Sequence, residues 1–308
     1  MKSKQGKKDN IELWGNRWAQ VRKLAEGGQS RTFIVKDNLN PTNPPACLKA
    51  LKRKSSKSLS RLKEEASTLE MMKSSRFVPD LLAVDTEADT PFLVMEFVEG
   101  STLDVLIEQK NFGLRDACNL TFGLLHAIEE CHEKGIVHRD LKPANIIVKP
   151  ESTFPVILDF GVGFCSTKSR KDLTSVQERF GNMFLSAPET LPGSKNQRNP
   201  IQDLTGICGI LLYALTGENI GQLLNEEKQL PHQRANAVSA LEKIQYPQKE
   251  NLLAIFDKGF DHDISRRFQS AAELKEALNK VIIDFGKRNL IRFGPRILSR
   301  SFCGCISF

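Results

Sequence analysis

The residues best able to do chemistry in this sequence lie in one short run, HRDLKPANIIV at 138–148. It brings an acid, a lysine and an amide (Asp140, Lys142, Asn145) close together in the chain. DFG follows at Asp159 to Gly161, 19 residues after Asp140, and APE at Ala187 to Glu189. Far upstream, LAEGGQSRTFIVKD at 24–37 has the look of a phosphate-gripping loop that has lost some glycines. Its pair, Gly27 and Gly28, lets backbone amides approach an anion where a side chain would take the space. Phosphate chemistry asks a protein for positioning and charge neutralisation more than for covalent chemistry.

Elements of two kinds must hold these groups. From Trp18 to Val98 the chain reads as short strands, WAQVRKL, TFIVKD, ACLKAL, LLAVDT and FLVMEFV, bounded by Gly, Pro, Asn and Asp. One helix interrupts them, SLSRLKEEASTLEMMKSS, with Leu62, Ala66, Leu69 and Met72 at helical spacing. Beyond VEGST the texture becomes helical. Leu114, Ala117, Leu120, Leu124, Ile128 and Cys131 form a stripe ended by Gly135. NIIV and VILDF read as two short strands, DLTGICGILLYALTG as a helix buried on all sides, and SAAELKEALNKVIIDFG as an amphipathic helix with Ala271, Leu274, Leu278 and Ile282 inward.

The three motifs, in this order and spacing, resemble the signature of eukaryotic-type (Hanks-type) serine/threonine protein kinases. The resemblance covers roughly residues 18 to 285. It implies an α+β, bilobal protein kinase fold: a small β-rich N-lobe with one main helix and a larger helical C-lobe. The expected boundaries are a basic tail at 1–10, a kinase domain at 11–285 (N-lobe 11–95, hinge 96–100, C-lobe 101–285) and a basic tail at 286–308. By the same resemblance Lys49 in ACLK grips the α and β phosphates of ATP. Its partner is a glutamate on the following helix, and Glu65 is selected over Glu64 and Glu70 because Leu69 follows it at the family's distance of four. Asp140 is the catalytic base that orients the attacking hydroxyl and accepts its proton, and Lys142 neutralises the γ phosphate. Asn145 and Asp159 hold magnesium, or manganese in its place. Gly27, Gly28, Leu24 and Thr32 cover the nucleotide; Met95 is the gatekeeper, and the Glu96 carbonyl and Val98 amide meet adenine. Asp203 braces the catalytic loop, and Arg267 pairs with Glu189. Arg139 marks kinases organised by phosphorylation of the activation segment, where Ser166, Thr167, Ser169, Thr174 and Ser175 are the candidates.

Departures from the family pattern sit in the loop and the activation segment. The family's GxGxxGxV falls on Ala25, Gly27, Ser30 and Thr32, so only the middle glycine remains, and Ser30 held at positive φ would cost roughly 1–2 kcal/mol. Asn182 replaces a threonine that bonds the catalytic aspartate and lysine. Ala144 stands where kinases preferring upstream arginines carry glutamate, and Val162 after DFG is of the kind associated with threonine preference. The altered loop and Asn182 permit a rival from another class, a pseudokinase-type interaction scaffold. All five of Lys49, Glu65, Asp140, Asn145 and Asp159 are present, which favours the enzyme.

Composition sets the wider frame. With 40% apolar and 26% charged residues the chain has the make-up of a globular protein. Lys2, Lys4, Lys7 and Lys8 at one end, with Lys287, Arg288, Arg292, Arg296 and Arg300 at the other, exceed the net charge of +7 by two. The body between them is therefore mildly acidic, which argues against nucleic acid as a partner and assigns the basic ends to an anionic surface or to solubility. MKSKQGKKDN has no apolar run after its lysines, so a cytoplasmic protein acting on a protein substrate is expected. Five of the seven cysteines (Cys47, Cys118, Cys131, Cys165, Cys208) are scattered through apolar segments and read as small buried hydrophobes. The terminal CGCISF places Cys305 as in a prenylation box, with Cys303 and the arginines as a second signal for peripheral membrane attachment.

Overall fold

The computed structural model describes residues 12–109, 112–150, 152–160, 164–165, 184–190, 199–244 and 249–282. Strands β1 (Leu13–Trp14), β2 (Trp18–Glu26), β3 (Ser30–Asp37), β4 (Ala46–Leu51), β5 (Leu81–Asp85) and β6 (Phe92–Glu96) make one antiparallel sheet in the order β1-β2-β3-β4-β6-β5. Strand alternation divides its two faces. Ala46, Leu48 and Ala50 of β4 join Trp14, Trp18, Phe33 and Phe92 in an outer cluster, where Trp14 lies 5.5 Å from Phe33 and 5.8 Å from Phe92. Cys47, Lys49 and Leu51 take the other face, toward helix α1 (Ser56–Met71).

Helix α1 begins at a reciprocal cap: Ser55 Oγ accepts from Ser58 N–H at 3.1 Å, and Ser58 Oγ accepts from Ser55 N–H at 3.0 Å. The expected stripe of Leu62, Ala66, Leu69 and Met72 is buried, and Glu65 is buried within it. After β6 the chain turns at Gly100, whose φ of +144° and whose place against the Val148 carbonyl admit no side chain; a Cβ there would lie 2.4 Å from that oxygen.

The helical part follows. Short strand β7 (Ser101–Thr102) leads into α2 (Leu103–Gln109) and α3 (Leu114–Glu133). Strands β8 (Ile136–Val137), β9 (Ile146–Val148), β10 (Pro155–Ile157) and β11 (Phe164–Cys165) come next; β9 pairs with β7 and β10, and β8 with β11. Strand β12 (Leu185–Ser186) pairs in parallel with β13 (Gly221–Gln222), across α4 (Ile201–Thr216). Helices α5 (Ala235–Glu242), α6 (Lys249–Gly259) and α7 (Ala271–Ile282) complete the described chain. Helix α4 is buried on nearly every side, and α3 ends where Gly135 takes a φ of +70°. On α7 the inward set is Ala271, Leu274, Leu278 and Val281; Ile282, expected inward, is half-buried.

Cys118, Cys131 and Cys208 are buried and free, and Cys47 is half-buried and free; Cys165 keeps only its backbone within the described residues. Burial pushes the thiols of Cys118 and Cys208 up to about 12 and that of Cys47 to about 11, so all three stay protonated and inert. Among the described residues no helix is long and apolar enough to cross a membrane.

The open end of the β2–β3 hairpin is closed by charge. Asp37 accepts from Arg17 Nε at 3.0 Å and Nη2 at 2.8 Å, from Leu39 N–H at 3.0 Å, and from the amides of Asn40 and Asn43 at 3.3 Å each. The Arg17 guanidinium, resting 4.5 Å over the Trp18 ring, holds the Asp37 carboxyl well below the usual carboxylate range. A depressed folded pKa means a stabilisation that is complete above the unfolded value of about 3.9 and lost as pH falls through the folded one. The difference in urea-unfolding free energy between wild type and Asp37→Asn is therefore expected to be full at pH 6 and to shrink below about pH 4. A constant difference down to pH 3 would contradict it.

Candidate active site

Strand register brings the candidate residues together from four elements. Lys49 stands opposite Thr32 on β3 and Leu93 on β6. Its ammonium donates to both Glu65 oxygens at 2.8 Å and to Asp159 Oδ1 at 3.0 Å. Burial alone would lower the Lys49 pKa; the carboxylates of Glu65 and then Asp159 outweigh it and raise it, so the ammonium stays charged. One cation thus joins the sheet, helix α1 and the segment after β10.

The catalytic loop hangs from α4. Asp203, 1% exposed, accepts from the backbone N–H of His138 at 2.9 Å and of Arg139 at 2.8 Å, and its Oδ2 lies 2.9 Å from His132 Nε2 on α3. Those bonds hold Arg139 at a φ of +64°, a conformation that costs about 1–3 kcal/mol outside glycine. Beyond it, Asp140 Oδ2 accepts from Lys142 Nζ at 2.8 Å and from Asn145 Nδ2 at 3.2 Å, and Asn145 Nδ2 also donates to the Asp140 carbonyl at 3.1 Å. Leu158 N–H donates to the Asn145 carbonyl at 2.8 Å, which fixes the approach to Asp159. Asp159 itself has a φ of +59°, and the Phe160 ring after it is fully buried, 4.7 Å from the His138 ring.

The sheet and the segment after β6 carry the remaining candidates. Met95 and Val98 are buried, Glu96 and Thr32 half-buried, and Leu24, Gly27 and Gly28 exposed. Glu96 N–H donates to Asp80 O at 2.9 Å, and Ala46 pairs with Glu96 across β4 and β6. Ser30 is an ordinary β3 residue paired with Leu51, and its φ is not positive. The strain expected there is absent because the turn closes without a left-handed residue.

Farther from the cleft, Arg267 and Glu189 form an ion pair through Nη1 and Oε1, with Nη2 to Oε2 at 3.4 Å. Arg267 also donates to Thr205 Oγ1 at 3.2 Å and the Asp261 carbonyl at 2.6 Å. Ser166, Thr167, Ser169, Thr174, Ser175, Val162 and Asn182 lie outside the described residues, as do Cys303 and Cys305. Sequence reasoning missed His132, the third partner of Asp203, because a histidine near a helix end carries no spacing signal.

A β-rich part with one main helix over a larger helical part, joined at a hinge, is the bilobal α+β arrangement of kinases. The protein kinase domain model matches residues 18–287. The serine/threonine-protein kinase PknA of Nostoc sp. is 27% identical over 291 residues, 89% of this chain and 49% of that protein. Serine/threonine-protein kinase D of Synechocystis sp. is 27% identical over 280 residues, 87% of this chain and 52% of the relative. A probable serine/threonine-protein kinase of Clostridium perfringens is 27% identical over 285 residues, 88% and 39% respectively. The chain belongs to the protein kinase family, whose members use ATP and a divalent metal and act on proteins. It spans about half the length of the first two of these relatives.

Removing one side of the Arg267–Glu189 pair strands a buried charge, which costs about 3–5 kcal/mol. Arg267→Ala is expected to lose that much in denaturant unfolding. Arg267→Met combined with Glu189→Leu is expected to recover most of it, since no charge is then left unpaired.

Proposed function

We propose that the protein is an ATP-dependent serine/threonine protein kinase that transfers the γ phosphate to hydroxyls of a protein substrate. The observation that carries this reading is the Lys49 ammonium held between Glu65 and Asp159, a half-buried cation set where strand, helix and the segment after β10 meet. In this reading Lys49 neutralises the α and β phosphates, and the Gly27–Gly28 turn lets them approach its backbone, with the Gly28 N–H as donor; the Gly27 N–H is committed to the Ser30 carbonyl. The hinge groups of Glu96 and Val98 meet the adenine edge, with Met95 behind and Leu24 and Thr32 above.

Asp140 works through one oxygen. Lys142 and Asn145 both bond its Oδ2, so among the described residues Oδ1 keeps its lone pairs for the attacking hydroxyl, which it orients and whose proton it takes as the oxygen–phosphorus bond forms and ADP departs. Lys142 balances charge on the γ phosphate, and a lysine at this position supports the serine/threonine branch. Asn145 and Asp159 offer oxygen donors on segments joined by the Leu158–Asn145 bond, a set that suits a hard cation completing its shell with phosphate and water. Magnesium, or manganese in its place, would supply charge neutralisation between the phosphates. The scaffold reading gains no support, because a scaffold needs neither the three-way contact of Lys49 nor the fixed Asp140.

Purified protein incubated with radiolabelled ATP and a general protein substrate is expected to transfer label, and Asp159→Ala to lower the rate at least about 100-fold. Equal incorporation by both proteins, or none by either, would defeat the proposal.

Finer readings belong to segments outside the described residues. Autophosphorylation among Ser166, Thr167, Ser169, Thr174 and Ser175 would give Arg139 an anionic partner. The cations at 287–300, with a lipid on Cys305 and Cys303 as second signal, would hold a cytoplasmic enzyme against an anionic membrane. Protein made in eukaryotic cells is then expected to enter the detergent phase more than Cys305→Ser does; identical partitioning would remove the lipid.

A further inference from the structure

The turn between β2 and β3 is not shaped by its glycines. Gly27 N–H donates to Ser30 O at 3.0 Å, and neither Gly27 nor Gly28 has a positive φ. A Cβ added at Gly28 would meet nothing within 4 Å, and one at Gly27 only the Ser30 carbonyl oxygen at 4.0 Å. The turn is instead held by four polar contacts, three of them from outside the hairpin. Lys52 Nζ lies 2.6 Å from Glu26 Oε1, and Lys23 also pairs with that carboxylate. Lys52 N–H donates to the Gln29 carbonyl at 2.9 Å. Arg61 Nη1 donates to Gln29 Oε1 at 2.8 Å.

Arg61 lies on α1 four residues before Glu65, so the two share one helix face. The tip of the turn is thus bonded to the same helix that supplies the partner of Lys49. If α1 shifts away from the sheet, Glu65 leaves Lys49 and Arg61 leaves Gln29 together.

We propose that Arg61 is a positioning residue: through Gln29 it couples the β2–β3 turn to helix α1, so that the turn settles over nucleotide phosphates only when Glu65 is in reach of Lys49. The inference rests on the nucleotide reading above. Its physical content is cooperative: binding that orders the turn also holds the helix, and a preset helix makes that ordering less costly for the nucleotide.

The test is a double-mutant cycle in the full chain, reading the dissociation constant of a fluorescent ATP analogue and kcat in parallel. Arg61→Ala and Gln29→Ala are each expected to weaken binding about three- to tenfold, the range of one typical hydrogen bond, since this one is exposed to solvent. The double variant should be no weaker than either single one, and kcat should fall less than KM rises. Gln29→Glu should bind like wild type beside Arg61 and lose that affinity in the Arg61→Ala background. Additive single effects, or an unchanged dissociation constant in Arg61→Ala, would overturn the coupling. Hydrogen–deuterium exchange of nucleotide-free protein separates this proposal from the functional reading. Faster exchange of the Lys52 and Gly27 amides in Arg61→Ala supports the coupling even if wild type binds no nucleotide, in which case only the kinase reading fails. Unchanged exchange at both amides overturns the coupling whatever the nucleotide does.

Discussion

A lysine ammonium withdrawn from most of its water needs carboxylates to meet it, and the half-buried Lys49 is met by two of them from distant parts of the chain. Glu65 stands 16 residues away and Asp159 110 residues away. Neither carboxylate is held near Lys49 by local structure, so the sheet, helix α1 and the segment after β10 must all be in place before the charge is satisfied. Desolvation of an unpaired ammonium would cost several kcal/mol, which makes the pairing a condition on how the lobes sit and not a late addition to a finished fold.

A second carboxylate does the same for the catalytic loop from below. Asp203 is almost wholly buried and is acceptable there because two backbone amides and His132 donate to it or face it. In return it holds Arg139 in a left-handed conformation that the residue would not choose alone. The consequence passes along bonds already named: Asp203 sets Arg139, the loop sets Asp140, Asn145 ties Asp140 to Leu158, and Leu158 delivers Asp159 to Lys49. Helix α4, largely apolar apart from its first turns, is therefore the base on which the site's geometry stands.

Much of this was legible in the residues, and the reasons for the rest are physical. ACLKAL was bounded correctly because apolar residues alternate with a lysine that only a cleft face explains. Glu65 was separable from Glu64 and Glu70 by a leucine four residues on, and it is Glu65 that contacts Lys49. The short helix α2 went unseen, since LDVLIEQ is too brief to show a period, and α5 and α6 lie in a polar stretch whose burial depends on packing against α4. His132, Gln29 and Arg61 were invisible for a different reason: each acts through a contact between segments remote in sequence.

The glycine loop shows how a motif can be misread by its letters. Loss of glycine at Ser30 looked like strain, yet the hairpin closes with every turn residue outside the left-handed region, so the fold never required glycine there. The open space beside Gly27 and Gly28 means that the fold does not require it at those positions either. A requirement that the fold does not impose must come from what approaches the loop. In the proposed reading, glycine at 27 and 28 has its use when an anion lies against the turn's backbone. A side chain at 30, where the chain has already entered β3, does not strain the turn.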